Sequence, residues 1–65
     1  MNDTTNQVAT FVNADLGIAA TVTAVTKGFA VTLLDTDAEM IVATRIFPLA
    51  MLVQAVAFAK DIANV

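Results

Sequence analysis

The chain is short, acidic and free of cysteine, with 65 residues, a formal net charge of −3 and 58 % hydrophobic residues. Charged residues make up 14 %, compared with about 25 % in ordinary globular chains. This composition excludes a chain that is disordered throughout, because disorder requires low hydrophobicity and high charge. The lack of cysteine excludes a disulfide scaffold and a thiolate metal site. Histidine and serine are also absent, so we expect no enzyme activity, no metal site and no cofactor.

The size of the chain predicts a partner. A domain of about 60 residues buries only about 60 % of the surface that its unfolded chain exposes, and its stability is correspondingly marginal. Disulfides, metal ions and oligomerisation are the usual additions to such small cores. The first two lack the residues that they need, so we expect a homodimer. A marginally stable monomer is the alternative.

The domain organisation is simple. Residues 1–6 are polar and are predicted to form a flexible N-terminus, whereas residues 7–65 are predicted to form a single α+β domain. The densest apolar run, residues 46–59, is shorter than the roughly 20 residues that a membrane-spanning helix needs. The polar, acidic start is also unlike a signal peptide. We therefore expect no membrane span and a cytoplasmic location.

Two interpretations remain open for the first element. Val8 and Val12 lie at helical spacing, and Gly17 follows as a C-terminal signal. This pattern predicts a short N-terminal helix over residues 7–16. Alternating β-branched residues also favour a strand over Gln7–Asn13. The predicted element order is therefore α-β-β-β-α, with β-β-β-β-α as the alternative.

The middle of the chain predicts three strands. Aliphatic residues and threonines alternate over Ile18–Lys27 and Phe29–Leu34, and Met40–Phe47 is rich in β-branched residues. Lys27-Gly28 and the acidic segment 35–39 separate the three runs and carry the residues that favour turns. Because these separations are short, we expect a three-stranded antiparallel meander.

A C-terminal helix is predicted to pack on this sheet. Pro48 is suited to the first helical position, and Leu49–Asn64 contains no glycine and many strong helix formers. The stripe expected to face the sheet is Leu49, Leu52, Val56, Ala59 and Ala63. Since the apolar arc is wider than one small sheet covers, a neighbouring flank is predicted to form a dimer interface. This candidate interface consists of Met51, Ala55, Phe58 and Ile62. The alternative is that the N-terminal segment buries this flank through Val8, Phe11 and Val12.

The order α-β-β-β-α resembles the topology of double-stranded RNA-binding domains, and β-β-β-α alone is similar to integrase arm-binding and plant AP2-type DNA-binding modules. Double-stranded RNA-binding domains have a basic cluster at the start of the last helix and a loop with glycine, proline and histidine between the first two strands. Here residues 48–53 contain no lysine or arginine, and the turn Lys27-Gly28 contains neither proline nor histidine. The resemblance therefore assigns no binding residue, and the net acidity disfavours nucleic acid as a partner.

The remaining charged residues predict no chemistry. Asp35, Asp37 and Glu39 have the spacing that begins a calcium loop, but the EF-hand positions for glycine and the final glutamate are Met40 and Ile46. A solvated hairpin turn is the interpretation that we adopt. 

Arg45 lies among apolar neighbours in the third predicted strand. It either anchors an acidic or phosphate group or is an exposed strand residue that pairs with a nearby carboxylate.

These observations favour a small non-catalytic protein–protein interaction protein that forms a homodimer. Its size and acidity are those of accessory or inhibitor proteins that phages and mobile elements encode, so a host protein is a further partner to consider. A nucleic-acid-binding module and a self-assembling filament or shell subunit are the alternatives.

Overall fold

The structure, a computed structural model, describes residues 6–65 as one four-stranded antiparallel sheet and a C-terminal helix. The strands are β1 (Gln7–Asn13), β2 (Ile18–Val25), β3 (Gly28–Asp35) and β4 (Met40–Pro48), and they lie in the order β1-β2-β3-β4. A 3-10 turn, Leu49–Met51, leads into the helix α1 (Leu52–Ala63). The predicted α+β class is confirmed. The predicted flexible N-terminus lies outside the described residues, apart from Asn6.

The predicted N-terminal helix is wrong, and the alternative strand over Gln7–Asn13 is present. This segment pairs with β2 over its whole length, from Gln7 opposite Thr23 to Asn13 opposite Ile18. The pairing satisfies backbone groups that a short isolated helix would leave at its ends, and long-range pairing of this kind overrides local propensity. Gly17, expected to end a helix, instead lies in the β1–β2 turn with a φ of 66°.

The other predicted elements are present with shifted ends. Pro48 closes β4 and does not begin the helix. The α-helix starts only at Leu52, because residues 49–51 form a 3-10 turn. Asn64 ends the helix in a left-handed conformation, with φ 61° and ψ 48°, and donates its backbone N–H to the carbonyl of Asp61. The left-handed C-terminal residue is a common way for a helix to stop.

The core between the helix and the sheet is thin. Ala55, Ala59 and Ala63 lie one turn apart along the helix and are fully buried. Their small side chains let the helix approach the sheet closely, and the largest fully buried side chains are Val22 and Val31. The predicted sheet-facing stripe is thus right for Ala59 and Ala63 but wrong for Leu49 and Leu52, which are exposed. A core this small adds little stability of its own.

We expect the Val31→Ala variant to lower the free energy of unfolding by about 2 kcal/mol, because it leaves a cavity beneath the helix that cannot collapse. Val31 is 1 % exposed and contacts the main core cluster. Val53→Ala is the matched control, since Val53 is 77 % exposed on the helix and its substitution should change stability by less than about 0.5 kcal/mol. Urea unfolding at one fixed protein concentration measures both variants. Equal losses would contradict the assigned core.

Asn13 ties the end of β1 to the end of the helix. Its side-chain Nδ2 donates to the carbonyl oxygens of Ala63 at 2.9 Å and Asn64 at 3.1 Å. Its Oδ1 accepts a hydrogen bond from the backbone N–H of Leu16 at 3.1 Å. One amide therefore satisfies two carbonyls at the helix C-terminus, which have no partner within the helix, and shapes the β1–β2 turn.

The Asn13→Ala variant is expected to lose about 1–2 kcal/mol of stability, because three hydrogen bonds disappear and two carbonyls lose their donor. Asn13→Asp separates the two roles of the side chain. The aspartate still accepts from Leu16 but has no N–H to donate, and its charge faces carbonyl oxygens. It should therefore be no more stable than the alanine variant in urea unfolding. Full stability of Asn13→Asp would show that the contacts with the helix do not matter.

Candidate interaction surface

The sheet has one covered face and one open face. The side chains of Ala20, Val22, Val31 and Phe47 are buried on the side that carries α1. Because neighbouring residues of a strand point to opposite faces, the residues between them form a second face on which no element of residues 6–65 packs. We call this the open face. It consists of Gln7, Thr10, Val12, Ala19, Thr21, Thr23, Val25, Ala30, Thr32, Leu34, Ile41, Thr44, Ile46 and Pro48.

A row of four threonines crosses the middle of the open face. Thr10 pairs with Thr21, Thr21 with Thr32, and Thr32 with Thr44, so that every strand contributes one member. Rows of mostly aliphatic residues lie on both sides of this row. One flanking row is Val12, Ala19, Leu34 and Ile41, and the other is Thr23, Ala30 and Ile46. The surface therefore combines a central row of hydroxyl groups with flanking rows that include the large aliphatic side chains Val12, Leu34, Ile41 and Ile46.

No charged residue of the described chain lies on the open face. The charges of residues 6–65 are placed in turns, on the helix or on the covered side of the sheet: Asp15, Lys27, Asp35, Asp37, Glu39, Arg45, Lys60 and Asp61. Several large aliphatic side chains are nevertheless exposed there, with Val12 at 60 %, Ile41 at 61 % and Ile46 at 55 %. The solvated face of an antiparallel sheet normally carries polar residues, so this composition is typical of a face that is covered.

The sequence-predicted interface on the helix lies mainly against its own sheet. Ala55 is fully buried, and Met51, Phe58 and Ile62 are half-buried and pack on the core cluster. Their main role within one chain is to cover the sheet. An interface through these four residues stays a prediction.

Sequence reasoning missed the open face. The signal was present, because both alternating sets of residues lack charge over residues 18–26 and 28–34.

A groove lies beside the helix, above β4. It has a volume of about 320 Å³, and its walls include Leu33, Ala43, Phe58 and Ile62. Arg45 also lines this groove. The helix packs mainly on the other three strands, so it covers β4 less completely than them.

The Arg45 guanidinium packs against two phenyl rings. Its central carbon lies 4.9 Å from the ring centre of Phe47 and 5.0 Å from that of Phe58. The two rings are 5.5 Å apart and tilted by 53°. Stacking of this kind stabilises an arginine by cation–π attraction and holds the guanidinium in a fixed position. Arg45 is therefore an oriented cation in an apolar groove.

The acidic segment after β3 forms a turn. The Asp35 carboxylate accepts hydrogen bonds from the backbone N–H groups of Asp37 at 3.0 Å and Ala38 at 3.1 Å. Aspartate commonly shapes a turn in this way. Within residues 6–65, no group of three or more carboxylate side chains is arranged to hold a metal ion, and no helix has the length and hydropathy to cross a membrane.

Searches against protein-family models, curated proteins and solved structures find no match for this chain. The two surfaces described above, the open face and the groove beside β4, therefore supply the basis for a functional proposal.

Proposed function

We propose that this chain is a non-catalytic protein–protein interaction protein that acts as a homodimer, in which the open faces of two copies pack on each other. The observation that carries the proposal is the open face itself, a complete side of a four-stranded sheet without a charge in the described chain. Two such faces would form a β-sandwich core with one helix on each outer side. Sheets in sandwiches pack about 10 Å apart at an angle of about 30°.

Electrostatics favour a second copy as the occupant. Each chain carries a net charge of −3, so two copies repel each other unless their charges stay apart. In a face-to-face dimer, the acidic turn residues Asp15, Asp37 and Glu39 lie at the rim, where water screens them. The contact itself brings together aliphatic side chains and uncharged polar ones, the threonines and Gln7. A charged partner would gain nothing from this face.

The shape and polarity of the face also suit a twofold contact. The face mixes small residues, such as Ala19 and Ala30, with the larger Leu34 and Ile46, so the side chains of two copies can interdigitate. Each hydroxyl removed from water needs a hydrogen-bond partner. The threonines supply these for one another, because a hydroxyl both donates and accepts. Thr21 and Thr32 lie at the centre of the row, where they would be covered most completely.

The size of the face is close to the lower limit for a specific dimer. Four strands about 4.8 Å apart and about 23 Å long give a flat footprint of about 450 Å² per copy. Two copies contribute about 900 Å² of flat area, which does not include the additional surface of projecting side chains. Specific interfaces begin near 1,200 Å², and crystal contacts mostly stay below 800 Å². The surface of the projecting side chains brings the buried area of the dimer towards the lower range of specific interfaces. Its burial also adds apolar area to a thin core.

Sedimentation velocity of the wild-type chain from about 1 to 500 μM tests the proposal. We expect a concentration-dependent shift from a single chain to a discrete species of twice the mass. A single chain at all concentrations would contradict the homodimer. Very large species would instead support a filament or shell subunit, the second candidate. That candidate is favoured by the two edge strands β1 and β4, which have no neighbour on their outer sides within residues 6–65.

A further inference from the structure

The edge strand β4 has an unusual lack of protection. It is the last strand of the sheet and spans nine residues, Met40–Pro48, of which only Phe47 is buried. Natural edge strands are commonly protected by lysine, by an internal proline or by a covering element. Residues 40–47 contain neither lysine nor proline, and the helix leaves the groove above them uncovered. The register shift opposite Leu33 and Leu34 and the single charge of Arg45 are the protective features of this strand.

Arg45 gives this edge a charge preference. Its guanidinium is packed on Phe47 and Phe58, and the side-chain hydrogen bonds of residues 6–65 do not include it. The two rings lie on the same side of the guanidinium, because their centres are only 5.5 Å apart, so its other side and its N–H donors are open to an anion. A planar fork of this kind matches a carboxylate. The acidic residues Asp37 and Glu39 precede the opposite end of β4, so an acidic ligand is directed towards Arg45.

We propose that β4 and its groove bind an extended acidic segment of a partner protein. The segment adds a fifth strand to the edge of β4, places an apolar side chain against Phe58 and Ile62, and sets a carboxylate on Arg45. Strand addition of this kind takes its affinity from main-chain hydrogen bonds and its specificity from alternate side chains. The groove is on the helix side of the sheet, so the proposal is independent of the open-face homodimer.

Two other occupants fit this site less well. A second copy offers no suitable strand, because in residues 6–65 the only carboxylate within a strand is Asp35, at the end of β3, where it is hydrogen-bonded within its own turn. A nucleic acid requires several phosphate contacts, whereas β4 carries one cation. The acidic protein segment satisfies the edge, the apolar groove and the cation together.

The test is selection of random heptapeptides displayed on phage, with the folded chain as bait. We expect the enriched peptides to contain an aspartate or glutamate flanked at alternate positions by apolar residues. The Arg45→Glu variant should reverse the selection towards lysine and arginine. Lys60→Glu is the matched control, because Lys60 is an exposed cation on the helix and should leave the selected sequences unchanged.

Titration of the best acidic peptide locates the site. We expect the backbone amide resonances of residues 40–48 to shift, and the Arg45→Lys variant, which keeps the charge but loses the planar fork, to bind at least about tenfold more weakly. Peptides without acidic residues, or an identical selection with Arg45→Glu, would overturn the proposal. Sedimentation of the same samples keeps the two proposals separate, since the homodimer should persist in all Arg45 variants.

Discussion

The Thr32→Lys variant is expected to raise the dissociation constant of the homodimer at least 100-fold. Thr32 lies at the centre of the open face, on the inner strand β3 between Thr21 and Thr44. A dimer of this variant buries two lysines, one from each copy, with no carboxylate on either face to pair with them. An unpaired charge is costly to remove from water, and each 1.4 kcal/mol weakens binding tenfold. Because β3 is not an edge strand, this substitution affects face packing and leaves both sheet edges intact.

Val53→Lys is the control for Thr32→Lys. Val53 is 77 % exposed on the outer side of the helix, so the same charge is introduced on the side of the molecule opposite the open face. We expect its dissociation constant to stay within about twofold of the wild type. Sedimentation over a concentration series measures both variants, and circular dichroism verifies that each is folded. Equal dimerisation of Thr32→Lys and the wild type would place the interface elsewhere.

The Gly28→Ala variant is expected to destabilise the chain by about 3 kcal/mol, a large part of the stability that a core of this size supplies. Gly28 begins β3 with a φ of 157° and pairs with both Val25 and Pro48. A Cβ at this position would overlap the carbonyl oxygen of Phe47 and lie 3.0 Å from its carbonyl carbon. These are backbone atoms of the neighbouring strand, so the overlap is removed only if β3 and β4 move apart. This movement would occur next to the buried Phe47 ring.

Gly17→Ala is the matched comparison for Gly28→Ala. Gly17 has a φ of 66°, and a Cβ there would meet a side-chain oxygen of Asp37 at 2.7 Å. That exposed carboxylate can rotate away, so mainly the cost of the left-handed backbone remains, about 1 kcal/mol. We expect Gly28→Ala to be far less stable than Gly17→Ala in urea unfolding at equal protein concentration. The reverse order would contradict the close approach of the two strands.

The strands β2, β3 and β4 could be predicted because local and long-range signals agree in them. Alternating β-branched residues favour strands, and turn residues occupy the short gaps between them. The segment Gln7–Asn13 was ambiguous, because Val8 and Val12 fit helical spacing and a β-branched pattern equally well. Pairing with β2 decides it. That pairing depends on residues 18–23 being available as a neighbouring strand, which local spacing does not reveal.

The face of the helix that packs on the sheet was the second feature that could not be predicted from the sequence. A helical wheel identifies a wide apolar arc but does not say which part of it meets the sheet. The structure turns Ala55, Ala59 and Ala63 inwards and leaves Leu49 and Leu52 exposed, because small residues permit the closer approach. The same limit applied to Arg45, which is separated in sequence from Phe58 but stacks on it in the folded chain.

The most direct test of the open-face interface is an isotope-filtered nuclear Overhauser experiment on a mixture of labelled and unlabelled wild-type chains, at a concentration where sedimentation shows two copies. The proposed packing predicts intermolecular contacts among the methyl groups of Thr21, Thr32, Leu34 and Ile46. Intermolecular contacts confined to the helix surface around Leu49 and Val53, or to the edge of β4, would contradict it.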